Sequence, residues 1–175
     1  MMQDLLQYAR SKPQVSAAAF VVILGAATMA GAYFIQYVLE YPPCPLCYEQ
    51  RNAYYVGIPL AALLWLGVSY GASRKVLMLG FAVIALAFLW NVGLAAYHAG
   101  VEWKFWAGPN DCSGNAISIN SAADMLSRLQ RINIVRCDEA ALRIFGLSLA
   151  GWNVPISLAL ALAGAWGAKA SYERQ

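Results

Sequence analysis

Four stretches of the chain carry no charged residue: between Lys12 and Glu40, Arg51 and Arg74, Lys75 and Glu102, and Arg143 and Lys169. Each exceeds the ~20 residues an α-helix needs to cross ~30 Å of hydrocarbon. Apolar residues recur on all sides of these segments rather than along one stripe, as lipid or a bundle interior requires. The pattern predicts an all-α membrane protein, a bundle of four transmembrane helices near residues 15–39, 49–68, 76–97 and 148–168. Residues 1–175 read as a single membrane domain with loops at 40–48 and 98–147 on one side. Trp65, Trp103, Trp106, Trp152 and Trp166 fall near span ends, where amphipathic rings settle. Pro59 and Pro155 lie inside the second and fourth runs, where local bends are expected. The first run has basic residues before it and small residues within it, as a leader would. Its apolar stretch continues through Tyr33–Leu39, so it reads as a retained span.

Composition agrees: 61% of residues are hydrophobic, 12% are charged, and mean hydropathy is +0.52. A soluble domain carries about 25% charged residues, which argues against an ordinary cytosolic domain, and the same numbers exclude disorder. The net charge of +3 is too small and scattered for nucleic acid. With four spans, both termini share one side with the 71–75 turn. Arg10, Lys12, Arg74, Lys75, Lys169 and Arg174 cluster there, against Asp4 and Glu173. Basic flanks favour the cytoplasm, which places the termini inside and the two longer loops outside. All four cysteines, Cys44, Cys47, Cys112 and Cys137, then lie on the exported side. An even count in an oxidising compartment suggests disulfides, and four cysteines allow three pairings.

The loops carry the chemistry. Glu40-Tyr-Pro-Pro-Cys44-Pro-Leu-Cys47-Tyr-Glu-Gln-Arg51 contains a C-x-x-C pair at the expected start of the second span. Such pairs depress a thiol pKa, and the thiolate is the reactive species. Free N–H groups at the helix start favour an anion at Cys47. Arg51 lies one turn beyond Cys47, suited to stabilise a thiolate or developing oxyanion, or else to snorkel to headgroups. His98 is the only histidine and stands at the exported end of span three, as an interfacial anchor or a donor to a bound polar ligand. Zinc is the rival use of C-x-x-C with His98, although a second C-x-x-C is absent. Cys112 lies in a Gly-Pro-Asn-rich, accessible turn. After Ser121, apolar Ala122, Met125, Leu126, Leu129 and Ile132 recur at helical spacing, predicting a short amphipathic helix in the long loop. Asn91, within the third span, is suited to join helices. A Cys44–Cys47 bond would staple almost nothing, so two dithiols on one membrane face favour thiol–disulfide exchange over a structural role.

The chain resembles the DsbB family of membrane disulfide-bond formation proteins. The matching pieces are Pro43-Cys44-Pro-Leu-Cys47-Tyr-Glu-Gln-Arg51, Tyr97-His98-Ala-Gly-Val-Glu102, Cys137-Asp-Glu and Phe145-Gly-Leu-Ser-Leu-Ala-Gly-Trp-Asn153, in family order and across nearly the whole chain. The resemblance implies a quinone-dependent, protein-disulfide-generating oxidoreductase of the bacterial inner membrane. It implies that the protein reoxidises a periplasmic thioredoxin-fold dithiol oxidase (DsbA-like) and passes the electrons to ubiquinone or menaquinone, held without a covalent bond. By position, Cys112 would form the mixed disulfide with the partner and would pair with Cys137. Cys44 would exchange with that pair and would itself pair with Cys47. Cys47 would face the quinone, Arg51 would bind a quinone oxygen, and His98 would assist. No metal is implied. A protein resembling vitamin K epoxide reductase would carry its C-x-x-C late in the chain. The alternative from another class is a metal-binding or scaffold membrane protein with structural disulfides.

Overall fold

The computed structural model describes residue 7, residues 11–109 and residues 136–173. Its helices are α1 (Pro13–Tyr37), α2 (Pro45–Ser69), α3 (Arg74–Glu102) and α4 (Leu149–Glu173). All four are long and apolar enough to cross a membrane, so the chain is a multi-pass membrane protein. The expected spans are thus present with shifted ends. The shifts are largest at the C-terminal ends of α3 and α4, which run to Glu102 and Glu173 rather than 97 and 168, and α3 thereby carries His98 inside the helix. The stop of α3 is a Schellman-type turn: Phe105 N–H bonds to Gly100 O at 2.9 Å and Lys104 N–H to Val101 O at 3.0 Å, with Lys104 at φ +62°. Trp106 then folds back, donating to Tyr97 O at 2.9 Å and stacking on the Tyr97 ring. The helices α2 and α4 continue through Pro59 and Pro155.

Each helix packs on its neighbours in chain order, α4 closes the ring on α1, and the α3–α4 contact is the most extensive. The bundle is apolar inside and outside. Phe81, Ile84, Phe88, Val21 and Leu160 fill the core, while Leu63, Leu86, Leu89 and Leu162 face outward, as a lipid solvent allows. Hydrophobic burial therefore does not drive helix association within the bilayer; close packing and interhelical hydrogen bonds do. Small residues permit that approach where Gly164 of α4 faces the backbone of Ala85 and Phe81 on α3. Asn91 Nδ2 donates to Ser157 Oγ at 2.9 Å, joining α3 to α4 as the sequence suggests.

A two-residue antiparallel hairpin leads into α4: β1 (Arg143–Ile144) pairs with β2 (Leu147–Ser148). Its turn residues Phe145 and Gly146 both have positive φ, +52° and +84°, the handedness that suits a tight hairpin. The sequence reading placed only loop here. Trp152 Nε1 donates to Ile144 O at 2.9 Å and Ser148 Oγ accepts Gly151 N–H at 3.0 Å, so the hairpin is tied to the first turn of α4. The amphipathic helix expected near 121–132, and Cys112, lie outside the described residues.

Candidate functional site

Cys44 is the N-cap of α2, with Pro45 at the first helical position, where a missing N–H costs nothing. Its Sγ accepts the Cys47 N–H at 3.3 Å. The two sulfurs stand 2.7 Å apart as free thiols, whereas the resemblance implies a disulfide between them. The contacts that favour an anion gather on Cys44, whereas the sequence reading placed them at Cys47. The hydrogen bond with Cys47, then that with His98 Nε2 at 3.6 Å, outweigh burial and pull the Cys44 thiol from 9.0 to about 5. A depressed pKa stabilises the folded dithiol form fully above the thiol's ordinary value, and this is lost as pH falls through about 5. We therefore expect Cys44 to stay reactive to iodoacetamide down to about pH 5. His98→Ala should raise the alkylation midpoint, and Cys47→Ala should raise it further. A midpoint near 9.0 in the parent protein would contradict the geometry.

His98 is 2% exposed. Its Nδ1 lies 2.7 Å from Gln50 Nε2 and its Nε2 is 3.9 Å from Glu102 Oε1. The ligand atoms of Cys44, Cys47 and His98 lie within 4.8 Å of one another, compact enough for one soft cation to span. Accepting one would require His98 Nε2 to shed the hydrogen that it presents to Cys44, because the Gln50 amide nitrogen can only donate to Nδ1.

Arg51 is buried, and its partners are neutral. Nη1 donates to Gln36 Oε1 at 2.6 Å, and the guanidinium lies 5.3 Å from the ring centres of both Tyr33 and Tyr48. Cation–π contact offsets part of the cost of burial, yet no carboxylate is within ion-pair distance of it among the described residues. Its positive charge therefore remains available to a ligand. A cavity of about 370 Å³ is lined by Cys44, Cys47, Arg51, His98, Ile35 and Ile156, a volume suited to a small organic molecule. A larger cavity of about 720 Å³ lies at the opposite end, beside Lys12 and Lys169, and holds no cysteine or histidine. The thiol pair, His98 and Arg51 all line the smaller one.

Cys137 is disulfide-bonded and 1% exposed. The resemblance implies Cys112 as its partner, and that residue lies outside the described residues. Cys137 shares one buried cluster with Cys44 and Leu46, against which Cys47, Leu94 and Tyr97 pack. Asp138 secures this segment to the end of α3, accepting from Arg136 Nη2 at 2.7 Å and from Lys104 Nζ at 2.6 Å. Those two cations hold the Asp138 carboxyl well below the usual carboxylate range.

Cys44, Cys47, Arg51, His98 and Cys137 thus meet at one end of the bundle. Sequence reasoning missed Gln36, Gln50 and Asn153. A signal for the last two was present: polar residues in apolar helices recur at helical spacing, as in Gln50/Tyr54, Asn153/Ser157 and Asn91/His98.

The family model described as Disulfide bond formation protein DsbB matches residues 14–167. The chain is 33% identical over 137 residues to Disulfide bond formation protein B of Burkholderia thailandensis, covering 75% of this chain and 78% of that one. It is 32% identical over 128 residues to the protein of the same name from Burkholderia pseudomallei, covering 72% of each. An uncharacterised protein of Rickettsia prowazekii is 24% identical over 147 residues, covering 80% of this chain and 79% of that one. No solved structure matches. A bundle of four membrane-length helices, a thiol pair capping one of them and a family match across most of the chain lead to one conclusion: the chain belongs to the DsbB family of membrane disulfide-bond formation proteins.

Proposed function

We propose that the protein reoxidises a periplasmic thioredoxin-fold dithiol oxidase (DsbA-like) and delivers the electrons to a membrane quinone, ubiquinone or menaquinone. The bacterial inner membrane is the setting, with the termini in the cytoplasm and the cysteine loops in the periplasm. The observation that carries this reading is the packing of disulfide-bonded Cys137 with the Cys44 and Cys47 thiols in one buried cluster. That cluster adjoins the cavity walled by Arg51.

In the proposed cycle the partner's dithiol reduces the Cys112–Cys137 disulfide, and the partner leaves with its own disulfide formed. The liberated outer thiolate attacks Cys44 of a Cys44–Cys47 disulfide and releases the Cys47 thiolate; the second outer thiol then closes the outer disulfide again. The inner pair now holds two electrons, which corresponds to the arrangement of free Cys44 and Cys47 beside disulfide-bonded Cys137. When bound, a quinone supplies an acceptor for two electrons and two protons. Arg51 presents an uncompensated positive charge to the cavity, where a water-poor environment strengthens it. His98 holds a hydrogen toward Cys44, favouring the thiolate, and Pro42 and Pro43 wall the cavity beside it.

The test is anaerobic turnover in detergent, with a reduced thioredoxin-fold periplasmic dithiol protein and a soluble quinone, followed by loss of quinone absorbance. Turnover in the parent protein that disappears in Cys47→Ser is the expected result. No turnover with several quinones, together with stoichiometric bound metal, would replace this reading with a metal-binding one. In the same assay Arg51→Ala should lower kcat/KM for quinone by about 10²–10³, the usual cost of losing one charge-stabilising donor. Thiol exchange among the cysteines should be unchanged. Undiminished quinone use would remove Arg51 from the site.

A further inference from the structure

Polar side chains from three helices form one directed chain that ends at the thiol pair. Asn91 Nδ2 donates to Ser157 Oγ at 2.9 Å, and Ser157 Oγ donates to Asn153 Oδ1 at 3.1 Å. The Tyr54 hydroxyl also donates to Asn153 Oδ1, at 2.5 Å. With its oxygen so occupied, Asn153 turns Nδ2 to Gln50 Oε1 at 2.5 Å. Gln50 therefore turns its own nitrogen to His98 Nδ1 at 2.7 Å. Amide nitrogens only donate, so Nδ1 is an acceptor and the ring hydrogen resides on Nε2.

Reversing the chain would require both amides to flip together. It would also leave a bare Nε2 facing Cys44 Sγ at 3.6 Å and Glu102 Oε1 at 3.9 Å, two groups that seek a donor. Asn91, Ser157, Tyr54, Gln50 and His98 are buried and Asn153 is half-buried, so a donor facing a donor, or an acceptor an acceptor, along this chain is disfavoured.

We propose that Gln50 and Asn153 are positioning residues that lock His98 in the Nε2–H tautomer, with its hydrogen aimed at Cys44. The purpose of the lock rests on the thiol relay proposed above. Its existence does not, because the tautomer follows from the amide hydrogen-bond directions alone.

His98 is the single histidine of the chain. Histidine-15N-labelled, reduced protein in detergent therefore yields one pair of ring nitrogens in a long-range 1H–15N correlation, recorded above the pH at which imidazole ionises. The expected pattern is a protonated Nε2 and an unprotonated Nδ1. Gln50→Glu replaces the donor with an acceptor of the same shape, and should move the Nδ1 resonance to the protonated position. Asn153→Leu frees the Gln50 amide and should give a mixture of tautomers. The near-isosteric Gln50→Glu carries the test if Asn153→Leu fails to fold. An unprotonated Nδ1 retained in Gln50→Glu, or a protonated Nδ1 in the parent protein, would overturn the lock. If the tautomers respond as expected while Cys47→Ser still turns over quinone, the relay fails and the positioning role stands.

Discussion

Cys44→Ser is expected to reduce disulfide generation to background while leaving the bundle folded. The two effects separate because Cys44 has two roles. As the N-cap of α2 its side chain accepts the Cys47 N–H, and serine is among the best residues for that task. In the proposed cycle its thiol forms and breaks covalent bonds, which a hydroxyl with its far higher pKa would not do. Cys44→Ala would lose both, at about 1 kcal/mol for the cap, so serine is the cleaner substitution. The companion variant Cys47→Ser retains the Cys44 thiolate and removes its resolving partner. By the reverse of the proposed exchange step, Cys44 then attacks the outer disulfide and stays bonded to one of its sulfurs, releasing the other as a thiol. Non-reducing peptide mapping should find an inter-loop disulfide through Cys44 in Cys47→Ser and none in Cys44→Ser. Full quinone-linked turnover in Cys44→Ser, with a melting temperature equal to the parent's, would exclude Cys44 from the chemistry.

Gly164→Val is expected to destabilise the bundle more than any single change away from the cysteines. A Cβ added at Gly164 would sit 2.8 Å from Ala85 N, 3.0 Å from Ala85 Cα and 3.1 Å from Phe81 O. These are backbone atoms of α3, so no rotamer change relieves the clash and the two helices must separate. Overpacking typically costs about 1–3 kcal/mol and occasionally more, set against a total stability of ~5–15 kcal/mol. The consequence reaches the site, because the same α3–α4 contact sets the Asn91–Ser157 bond from which the orientation of His98 follows. Gly31→Ala is the control, since a Cβ there meets nothing within 4 Å, and alanine suits a helix better than glycine. Thermal unfolding in detergent should show a large drop for Gly164→Val and little change for Gly31→Ala. Equal midpoints would mean that α3 and α4 are not held at this distance.

Other substitutions divide along the same line between packing and chemistry. Phe81 and Phe88 are fully buried against glycines of neighbouring helices, Gly167 and Gly57, and act through the fold. Arg51 and His98 are buried polar groups lining the cavity, whose retention inside an apolar bundle is expensive, and in the proposed cycle they act through the site.

The spans, their order and the four cysteines follow from the linear pattern, because length and apolarity suffice to place a helix in a membrane. The thiol pair at a helix start is equally plain, since proline at the first helical position and the C-x-x-C spacing are local properties. Helix ends are set by capping geometry, so the extension of α3 past His98 to a left-handed Lys104, and the hairpin turn at Phe145-Gly146, were not foreseen. Nor could local spacing say which of two thiols collects the anion-stabilising contacts. That follows from His98 arriving from α3, 54 positions along the chain. The neutral cradle of Arg51, the burial of Cys137 against Cys44 and the Asn153–Gln50–His98 chain each join residues distant in sequence. Membrane insertion and local thiol reactivity are sums over neighbouring residues and can be read along the chain. Hydrogen-bond direction and the meeting of Cys137 with Cys44 depend on helix rotation and on backbone approach at positions such as Gly164, which only the packed bundle settles.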